Sequence, residues 1–380
     1  MLAPIGNAPR DYAWGSTTRI AALQGRDAPG TPEAEVWFGD HPSSPARLAD
    51  GTPLDVWLRA HGEPPLGYLL KLLAAAAPLS IQVHPTRSHA AAGFAAEERA
   101  GIPRDAAERN YRDDNHKPEI IVAVSDRFEA LAGLRDLAAT RTLLAALPQH
   151  PGVRELERRL AGPDAGAALR DTLAWLLSGR AQPVVEDVVR AAGEATADLP
   201  ELAVVRRIAA AHPGDPGVVV ALLMNLVVLE RGEALYAPAG VLHAYLDGLG
   251  VEIMAASDNV LRGGLTPKHI DVDELLAVVD PAPSAPPRIL PLRVSEGIEV
   301  FRPDVPDFEL WRANVCQDAP RTLDLHGPAV ALAVAGRVLV DGASGATVEL
   351  TPGHAAIATA DEGPLRLRGD GELFVALPGR

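Results

Sequence analysis

The chain has a single cysteine, Cys316, among its 380 residues. One cysteine excludes an internal disulfide framework and a metal site built from cysteine clusters, and it fits a reducing compartment. The longest apolar run, Val218 to Leu229, is interrupted by Asn225 and is too short to cross a bilayer. The first residues, Met1 to Pro4, lack the basic start and the apolar stretch of a signal peptide. We therefore expect a cytoplasmic protein that does not bind membranes.

Positive charge is scarce in this chain, and lysine is especially rare. Basic residues number 35 against 50 acidic ones, which gives a formal net charge of -15. Because nucleic acids and anionic membranes bind basic surfaces, we expect neither as a partner, and an anionic substrate would need local cations. Only three of the basic residues are lysines, namely Lys71, Lys117 and Lys268. Arginine cannot replace lysine where a proton moves or space is tight, so we predict that all three are pocket residues.

Length and composition predict a globular protein of two or three domains. Hydrophobic residues make up 47% of the chain and charged residues 22%. Glycine and proline number 34 each, which is typical of a β-rich protein with many turns. The pattern changes between residues 126 and 215, where leucines recur at the spacing of an amphipathic helix. These are Leu169, Leu173, Leu176 and Leu177. We predict a helical insertion there, after which strands resume at Val218.

Two separate segments place polar side chains on one face of a predicted strand. Successive side chains on a strand point to opposite faces, so Gln82 and His84 project to the same side of a sheet. Ser80 shares their parity. By the same rule Lys117 and Glu119 project together, which puts a cation beside a carboxylate. Each segment therefore offers oxygen or nitrogen donors on one side of a sheet.

A third segment has the spacing of a turn that leads a histidine into a barrel. Gly232, Pro238, Gly240 and His243 fit the second cupin motif, in which glycine and proline form the turn between two strands. The first cupin motif normally opens with His-x-His, and here Gln82-x-His84 occupies its place, with the glutamate displaced to Glu119. The three segments supply two imidazoles, one carboxylate and one amide oxygen, a donor set suited to one divalent metal ion. The predicted metal ligands are Gln82, His84, Glu119 and His243.

The ordered set of motifs resembles type I phosphomannose isomerases. The resemblance extends from about residue 10 to about residue 275, and each motif alone is less specific than the whole series. Its motifs are Tyr12-Ala13-Trp14-Gly15-Ser16, the segment Ala34 to Pro42, Gln82-Val83-His84-Pro85, Asn115-His116-Lys117-Pro118-Glu119, and the run from Asp258 to Lys268.

The resemblance implies a zinc-dependent isomerase that interconverts mannose 6-phosphate and fructose 6-phosphate. It implies one Zn²⁺ per chain, although other divalent metals such as iron or manganese also suit the donors, and it implies Arg262 as a catalytic residue. Moving a proton between C2 and C1 passes through an enediolate, whose negative charge a fixed cation can stabilise. The base stays open among Glu252, Lys117, Lys268 and a metal-bound hydroxide. We assign phosphate binding to Lys71 and Ser80, with Lys268 as a further candidate.

The fold class, mainly β with a helical insertion, follows from this resemblance together with the helical periodicity at 126–215 and the alternating strand and turn signals of the last hundred residues. We expect two cupin-type jelly-roll barrels plus an α-helical domain. The catalytic barrel would be discontinuous, with residues 1–125 and 216–279, and the helical domain would be residues 126–215. A proline-rich linker at 280–287 would lead to a cupin-like barrel without metal at 288–380. We further expect a monomer or weak homo-oligomer whose ligand is a small sugar phosphate.

Two other functions stay open at this point. A cupin oxygenase that uses iron would favour a His-x-His pair with a nearby glutamate, which Gln82 and the distant Glu119 do not provide. A sugar-binding cupin without catalysis would not need Arg262 or three pocket lysines. Function therefore has to be argued from the geometry of the site.

Overall fold

The structure is a computed structural model that describes residues 1–380, with twenty β-strands, ten α-helices and one short 3-10 helix. The first strands are β1 (Leu2–Gly6), β2 (Glu35–Phe38), β3 (Arg47–Leu48), β4 (Tyr68–Ala75), β5 (Gln82–Val83), β6 (Glu119–Ala123) and β7 (Arg127–Leu134). The middle strands are β8 (Met224–Glu230), β9 (Ala234–Ala237), β10 (His243–Ala255), β11 (Leu261–Arg262) and β12 (Arg288–Ile289). The last strands are β13 (Leu292–Ser295), β14 (Ile298–Phe301), β15 (Glu309–Val315), β16 (Arg321–Leu323), β17 (Ala329–Asp341), β18 (Thr347–Leu350), β19 (Ala355–Ala358) and β20 (Leu365–Leu377).

Six of the ten helices follow one another between β7 and β8. The early helices are α1 (Arg19–Leu23), α2 (Leu54–Ala60) and α3 (Arg87–Ala100). The consecutive ones are α4 (Leu137–Ala145), α5 (Pro151–Arg159), α6 (Ala165–Leu177), α7 (Gln182–Glu194), α8 (Pro200–Ala211) and α9 (Gly217–Leu222), and α10 (Val272–Val278) comes after β11. None of the ten combines the length and the apolar composition that a membrane span requires.

The prediction that strands resume at Val218 is wrong, because residues 217–222 form helix α9 and the next strand starts at Met224. Every residue of α9 is buried. An apolar run that is buried on all sides has no periodicity to distinguish helix from strand, and six residues are within the usual length of a strand. The Asp215 side chain accepts a hydrogen bond from the Gly217 amide at 2.7 Å, which favours a helical start there.

The strands form two ten-stranded antiparallel sheets, and the expectation of a mainly β chain is confirmed. One sheet runs β13-β14-β15-β20-β17-β19-β1-β3, with β16 beside β20 and β18 beside β17. The other runs β11-β5-β10-β6-β9-β12, with β4 and β7 also paired to β10, β2 beside β4 and β8 beside β7. Strand β1 pairs with β19, so the start of the chain adds a strand to the sheet built mainly from the last hundred residues. Strand β12, which comes just before those strands in the chain, pairs with β9 of the other sheet.

One hydrophobic core connects the two sheets. It joins side chains of the sheet that contains β10, such as Leu70 and Val251, to side chains of the other sheet, such as Phe301 and Phe374. Buried Tyr68 strengthens this connection, because its hydroxyl donates to the carbonyls of Pro328 at 2.8 Å and Ala376 at 3.1 Å. The sheets therefore pack as one body, and the separate domain limits given above stay a prediction.

Strand β10 is the central strand of the site-bearing sheet, and a bulge divides it into two parts. Its first residues pair with β5 and β7, whereas Gly248 to Ala255 pair with β4 and β6. The pairing shifts between Tyr245 and Asp247. Gly248 adopts φ +131, and a Cβ there would lie 2.9 Å from the Cα of Phe128, so only glycine fits. A bulge reverses which residues face a given side, so odd-numbered residues before it share a face with even-numbered ones after it.

Candidate metal centre and active site

Three short strand segments bring predicted site residues into one row. Gln82 of β5 is in register with His243 of β10 on one side and with Arg262 of β11 on the other. Side chains of residues in register project from the same face, and neighbouring strands lie about 4.8 Å apart. Gln82 therefore sits between the imidazole of His243 and the guanidinium-bearing Arg262.

Three of the four predicted metal ligands converge in the interior of the sheet. The ligand atoms of His84, Glu119 and His243 all lie within 4.8 Å of one another, and all three residues are buried. His84 Nε2 lies 3.3 Å from Glu119 Oε1, and His243 Nε2 lies 3.2 Å from Glu119 Oε2. The carboxylate thus faces one imidazole with each of its oxygens.

Backbone carbonyls fix the orientation of both imidazoles. His84 Nδ1 lies 2.8 Å from the carbonyl of Asn259, and His243 Nδ1 lies 3.1 Å from that of Val241. A carbonyl only accepts, so each Nδ1 carries the hydrogen and each Nε2 lone pair points toward the carboxylate. The Nε2 of His84 is buried and has no hydrogen-bond partner. A lone pair that faces a carboxylate inside a protein fits a cation between them.

The charge states of these groups also suit a cation. Burial lowers the pKa of His84 to about 4, and the Lys117 ammonium contributes to the decrease, so the imidazole is neutral at pH 7. Burial alone would raise the pKa of Glu119. The Lys117 ammonium, 2.9 Å away, and the two imidazoles outweigh that effect and hold this pKa well below its usual range. Neutral nitrogens and an ionised carboxylate are the ligand forms that a divalent metal requires.

Gln82 lies beside this cluster, and the nitrogen of its amide already has a hydrogen-bond partner. Its Nε2 donates to Ser80 Oγ at 3.3 Å, and both residues line the same cavity as His243 and Glu119. Because the amide nitrogen points to Ser80, the amide oxygen is the atom left for a cation. Ser80 and Gln82 lie on the same face of the strand, and their contact therefore leaves the Gln82 amide oxygen as the proposed ligand atom.

A cavity of about 60 Å³ adjoins the cluster and contains most of the predicted residues. Its volume is enough for a few water molecules, so it can take the reacting end of a sugar but not a whole sugar phosphate. Its polar lining consists of Glu35, Lys71, Ser80, Gln82, Lys117, Glu119, His243, Tyr245 and Glu252. The bulge in β10 is what lets His243, Tyr245 and Glu252 face the same cavity.

Lys71 and Glu252 form a buried ion pair in this cavity. Lys71 Nζ lies 3.0 Å from Glu252 and 3.8 Å from Glu35, and Lys71 and Glu252 are direct cross-strand neighbours on β4 and β10. Burial would lower the pKa of Lys71, but the two carboxylates raise it well above its ordinary value. Burial raises the pKa of Glu252, and the negative charges of Glu119 and Glu35 add to this, against the opposing effect of Lys71.

A second group of cations lies toward the surface, beyond Gln82. Burial and the neighbouring charge of Arg112 lower the pKa of Arg262. Burial, Arg262 and Arg112 lower the pKa of Lys268. No carboxylate offsets the repulsion at either residue, although the chain is strongly acidic overall. Arg112 is exposed and lines a neighbouring cavity of about 490 Å³. Arg112 also lies near the carboxylate of Asp258, whose pKa it helps to lower, so Arg262 and Lys268 have the least compensated positive charge of the three. Uncompensated positive charge in an acidic protein indicates a place for an anion.

The structure thus places the predicted site residues in two adjoining groups. Seven of the ten line the small cavity, His84 completes the ligand cluster, and Arg262 and Lys268 belong to the outer group. The sequence reasoning missed Glu35, Tyr245 and Arg112. Glu35 belongs to a segment that the motifs include. Only its contact with Lys71 on the adjacent strand β4 shows that it faces the site. Arg112 precedes the Asn-His-Lys-Pro-Glu motif and has no local signal of its own.

Comparison with known proteins matches nearly the whole chain to a single group of related proteins. The sequence model named phosphomannose isomerase type I, catalytic domain, matches residues 2–137. The chain is 36% identical to the mannose-6-phosphate isomerase of Escherichia coli (strain K12) over 388 residues, which cover 97% of both proteins. It is 30% identical to the mannose-6-phosphate isomerase of Homo sapiens, with 88% of each covered. The crystal structure of the Salmonella typhimurium mannose 6-phosphate isomerase bound to substrate and zinc superposes with a TM-score of 0.88 at 33% identity, with full coverage of both chains.

We predict that replacing a ligand removes the metal without unfolding the protein. His243→Ala deletes one of two imidazoles and should reduce Zn²⁺ uptake from one ion per chain to a small fraction, and Gln82→Ala should weaken binding about 10- to 100-fold. To test both predictions, each protein is equilibrated with one equivalent of Zn²⁺. The metal that remains bound to the protein is then released and measured by mass spectrometry. The exposed His354 offers a matched control, since His354→Ala should bind normally. Normal affinity in the Gln82→Ala variant would show that the amide is not a ligand.

Proposed function

Because the chain belongs to the type I phosphomannose isomerase family, we propose that it interconverts mannose 6-phosphate and fructose 6-phosphate as a zinc enzyme. The observation that carries this conclusion is the buried cluster of His84, Glu119 and His243, with an unpartnered imidazole nitrogen facing a carboxylate. Such a cluster in a chain that matches the E. coli isomerase over 97% of its length supports aldose-ketose isomerisation. Neither an oxygenase nor a non-catalytic sugar-binding protein is supported by a comparable observation.

Zinc suits the donors that the chain provides. His84, Glu119 and His243 would hold the ion through two nitrogens and one carboxylate oxygen, and Gln82 would be the fourth ligand through its amide oxygen. Bound Zn²⁺ would act as a Lewis acid that polarises the sugar oxygens at C1 and C2. Lys117 contacts Glu119 at 2.9 Å, which keeps that carboxylate ionised and in place.

Glu252 is the best-supported base among the four candidates. Aldose-ketose isomerisation removes the proton at C2, moves a second proton between the oxygens, and returns a proton to C1. The base must therefore be an acceptor inside the cavity. Glu252 is a carboxylate there that pairs with Lys71 and not with the metal-ligand imidazoles, and burial raises its pKa above the usual value of a glutamate, which strengthens it as a base. Lys117 is engaged by Glu119, and Lys268 lies in the outer group.

Lys71 orients this base in our proposal. The phosphate-binding role predicted for Lys71 stays untested, but its ammonium is already shared between Glu252 and Glu35 in the interior. The negative charges of two adjacent carboxylates cancel most of the attraction that a buried lysine would exert on a phosphate. Ser80, through Gln82, is more simply a residue that orients the amide ligand.

Arg262 supplies the positive charge for the enediolate. It is adjacent to Gln82 across the β5–β11 pair and therefore next to the metal ligands, and no carboxylate neutralises it. An arginine in this setting stays charged throughout the reaction, so it stabilises developing negative charge and does not take a proton. Its fixed position limits the reorganisation needed when the charge forms.

Arg112 and Lys268 bind the phosphate in our proposal. The small cavity admits only the reacting end of the substrate, so the phosphate must lie outside it, on the side where Arg262 is found. The charge of Arg112 lowers the pKa of Arg262, and the charge of Arg262 lowers the pKa of Lys268. Arg112 and Lys268 are therefore the cations near Arg262. Together they provide the local positive charge that an anionic substrate needs in a chain with a net charge of -15.

The finer description of the fold also belongs to this proposal. We infer two cupin-type barrels with a helical domain of six consecutive helices between two parts of the first barrel. The antiparallel pairing throughout both sheets and the Gly232-to-His243 turn support the barrels. The ligand cluster is complete within one chain, so a monomer or weak homo-oligomer would suffice as the active form. The cytoplasmic location and the lack of nucleic-acid or membrane partners stay predictions.

The direct test is an assay for interconversion of mannose 6-phosphate and fructose 6-phosphate with the purified protein. We expect activity that disappears with a chelator and returns with Zn²⁺, because the ligand cluster is needed for chemistry. The His243→Ala protein, purified in the same way, controls for contaminating host isomerase. If the zinc-loaded protein were inactive on both sugars, the proposed function would be wrong.

Arg262→Ala should separate turnover from metal binding. We expect zinc content to be unchanged and kcat to fall about 10²- to 10³-fold, the usual loss when one preorganised charge is removed from a developing oxyanion. Arg312→Ala is a matched control on the C-terminal sheet, where the side chain pairs with Glu372. Turnover within a factor of two of the unchanged enzyme would rule out this role for Arg262.

Glu252→Gln should abolish exchange of the sugar proton with solvent. The amide has nearly the same shape but cannot accept the proton from C2, so we expect kcat to fall at least about 10²-fold with zinc retained. Deuterium incorporation at C2 or C1 from D₂O, followed by NMR, reports the step directly. Lys117→Ala or Lys268→Ala would be the more damaging change if a lysine were the base instead.

A further inference from the structure

The segment from Arg109 to Asp113 connects helix α3 to strand β6 and is held along its whole length. Arg109 is buried and pairs with Glu97 at 2.9 Å and Glu98 at 2.7 Å on α3. Glu97 also accepts hydrogen bonds from two backbone amides of the segment, those of Asn110 at 2.9 Å and Tyr111 at 2.8 Å. One edge of the segment is therefore fixed to α3.

The other edge is fixed to helix α10 by side chains. The hydroxyl of Tyr111 donates to Glu274 Oε1 at 2.5 Å, and His89 Nε2 lies 2.7 Å from the same oxygen. Asn110 Nδ2 donates to Asp271 Oδ2 at 2.9 Å. Burial and the adjacent Glu274 raise the pKa of Tyr111, so its phenol keeps the donated proton. A Cβ at Gly93 would lie within 2.7 Å of three ring atoms of Tyr111, so the ring packs against α3 where only glycine leaves room.

Arg112 lies between these anchors and a third one. Its backbone amide donates to Asn259 Oδ1 at 2.8 Å, and Asn259 precedes Arg262 by three residues. On the other side, α10 begins four residues after Lys268, with Asp271 as its N-cap. The contacts of the segment thus connect Arg112 to residues on either side of the other two cations, with Asn259 before Arg262 and Asp271 after Lys268.

We propose that Tyr111 and Glu274 are positioning residues that set the spacing of Arg112 from Lys268 and so determine how well the enzyme holds a phosphorylated sugar. This inference rests on the proposed phosphate-binding role of Arg112 and Lys268. Three cations that repel one another do not hold a fixed spacing by themselves, so the spacing has to come from contacts elsewhere. The Tyr111–Glu274 hydrogen bond is the shortest link between the two chain segments that carry Arg112 and Lys268.

The kinetic consequence differs from that of a general loss of structure. Phosphate held away from the reacting carbons contributes similarly to the ground state and the transition state, so loosening its site raises KM and leaves kcat nearly constant. We expect Tyr111→Phe and Glu274→Gln each to raise KM for mannose 6-phosphate by a factor of about ten, with kcat within a factor of two. The inhibition constant of inorganic phosphate should rise by the same factor.

A double-mutant cycle on the zinc-loaded enzyme tests the inference. Because Glu274 acts through Arg112, adding Glu274→Gln to Arg112→Ala should raise KM no further than Arg112→Ala alone, whereas independent residues would multiply their effects. Asp273→Asn removes the same charge from the same turn of α10 without a side-chain partner and serves as the control, with KM unchanged. Zinc content and thermal unfolding accompany every variant. If Glu274→Gln unfolds, Tyr111→Phe, which deletes one hydroxyl, takes its place in the cycle.

The outcomes distinguish this inference from the function beneath it. A raised KM in Arg112→Ala together with the non-additive cycle supports both. A raised KM in Arg112→Ala with an unchanged KM in Tyr111→Phe and Glu274→Gln, or with multiplying effects, overturns the positioning role and leaves the phosphate site intact. An unchanged KM in Arg112→Ala and Lys268→Ala overturns the phosphate site and the positioning role together, while isomerase activity itself would still stand.

Discussion

The buried carboxylate of Glu119 is the group on which the rest of the site depends. Its two oxygens face the imidazoles of His84 and His243, and the ammonium of Lys117 lies 2.9 Å from one of them. Burying a carboxylate is costly unless it is paired, and the interior around it also contains Glu35 and Glu252 against a single further cation, Lys71. Three carboxylates and two ammonium groups leave one negative charge uncompensated. A divalent cation bound at this place would therefore stabilise the whole buried network and would also activate the substrate.

Strand β10 converts this network into an enzyme site by serving two functions along one strand. Before the bulge it contributes His243 to the candidate ligand cluster, and after the bulge it contributes Glu252 to the cavity. A regular strand would turn Glu252 to the opposite face, because 243 and 252 differ in parity. The left-handed Gly248, pressed against the backbone of Phe128, makes the change of face possible. The distance between metal and base in the proposed mechanism is thus set by the backbone of one strand.

The parts of this architecture that the sequence predicts are those with local signatures. The parity of Gln82 with His84 and of Lys117 with Glu119, and the glycine-proline turn before His243, can be read from a few consecutive residues. The meeting of residues 84, 119 and 243 cannot be read in this way, and it was expected from their complementary donor atoms and from the resemblance of the ordered motifs to a family. The bulge in β10, the helix at Val218 and the pairing of β1 with β19 have no local signal that decides them. They follow from packing between segments far apart in the chain.

The scarcity of lysine in an arginine-rich chain has a physical explanation in this geometry. Lys71 and Lys117 are buried, and both ammonium groups contact carboxylates at about the hydrogen-bond distance, in a cavity of about 60 Å³. A guanidinium is wider and planar and would fill that space. The indole of Trp37, whose ring centre is 5.2 Å from Lys71 Nζ, further limits the space around this ammonium. Nearer the surface, where more room is available, the two cations in the group with Lys268 are arginines, Arg112 and Arg262. Space within the site thus explains lysine at two of its three positions, and charge alone does not.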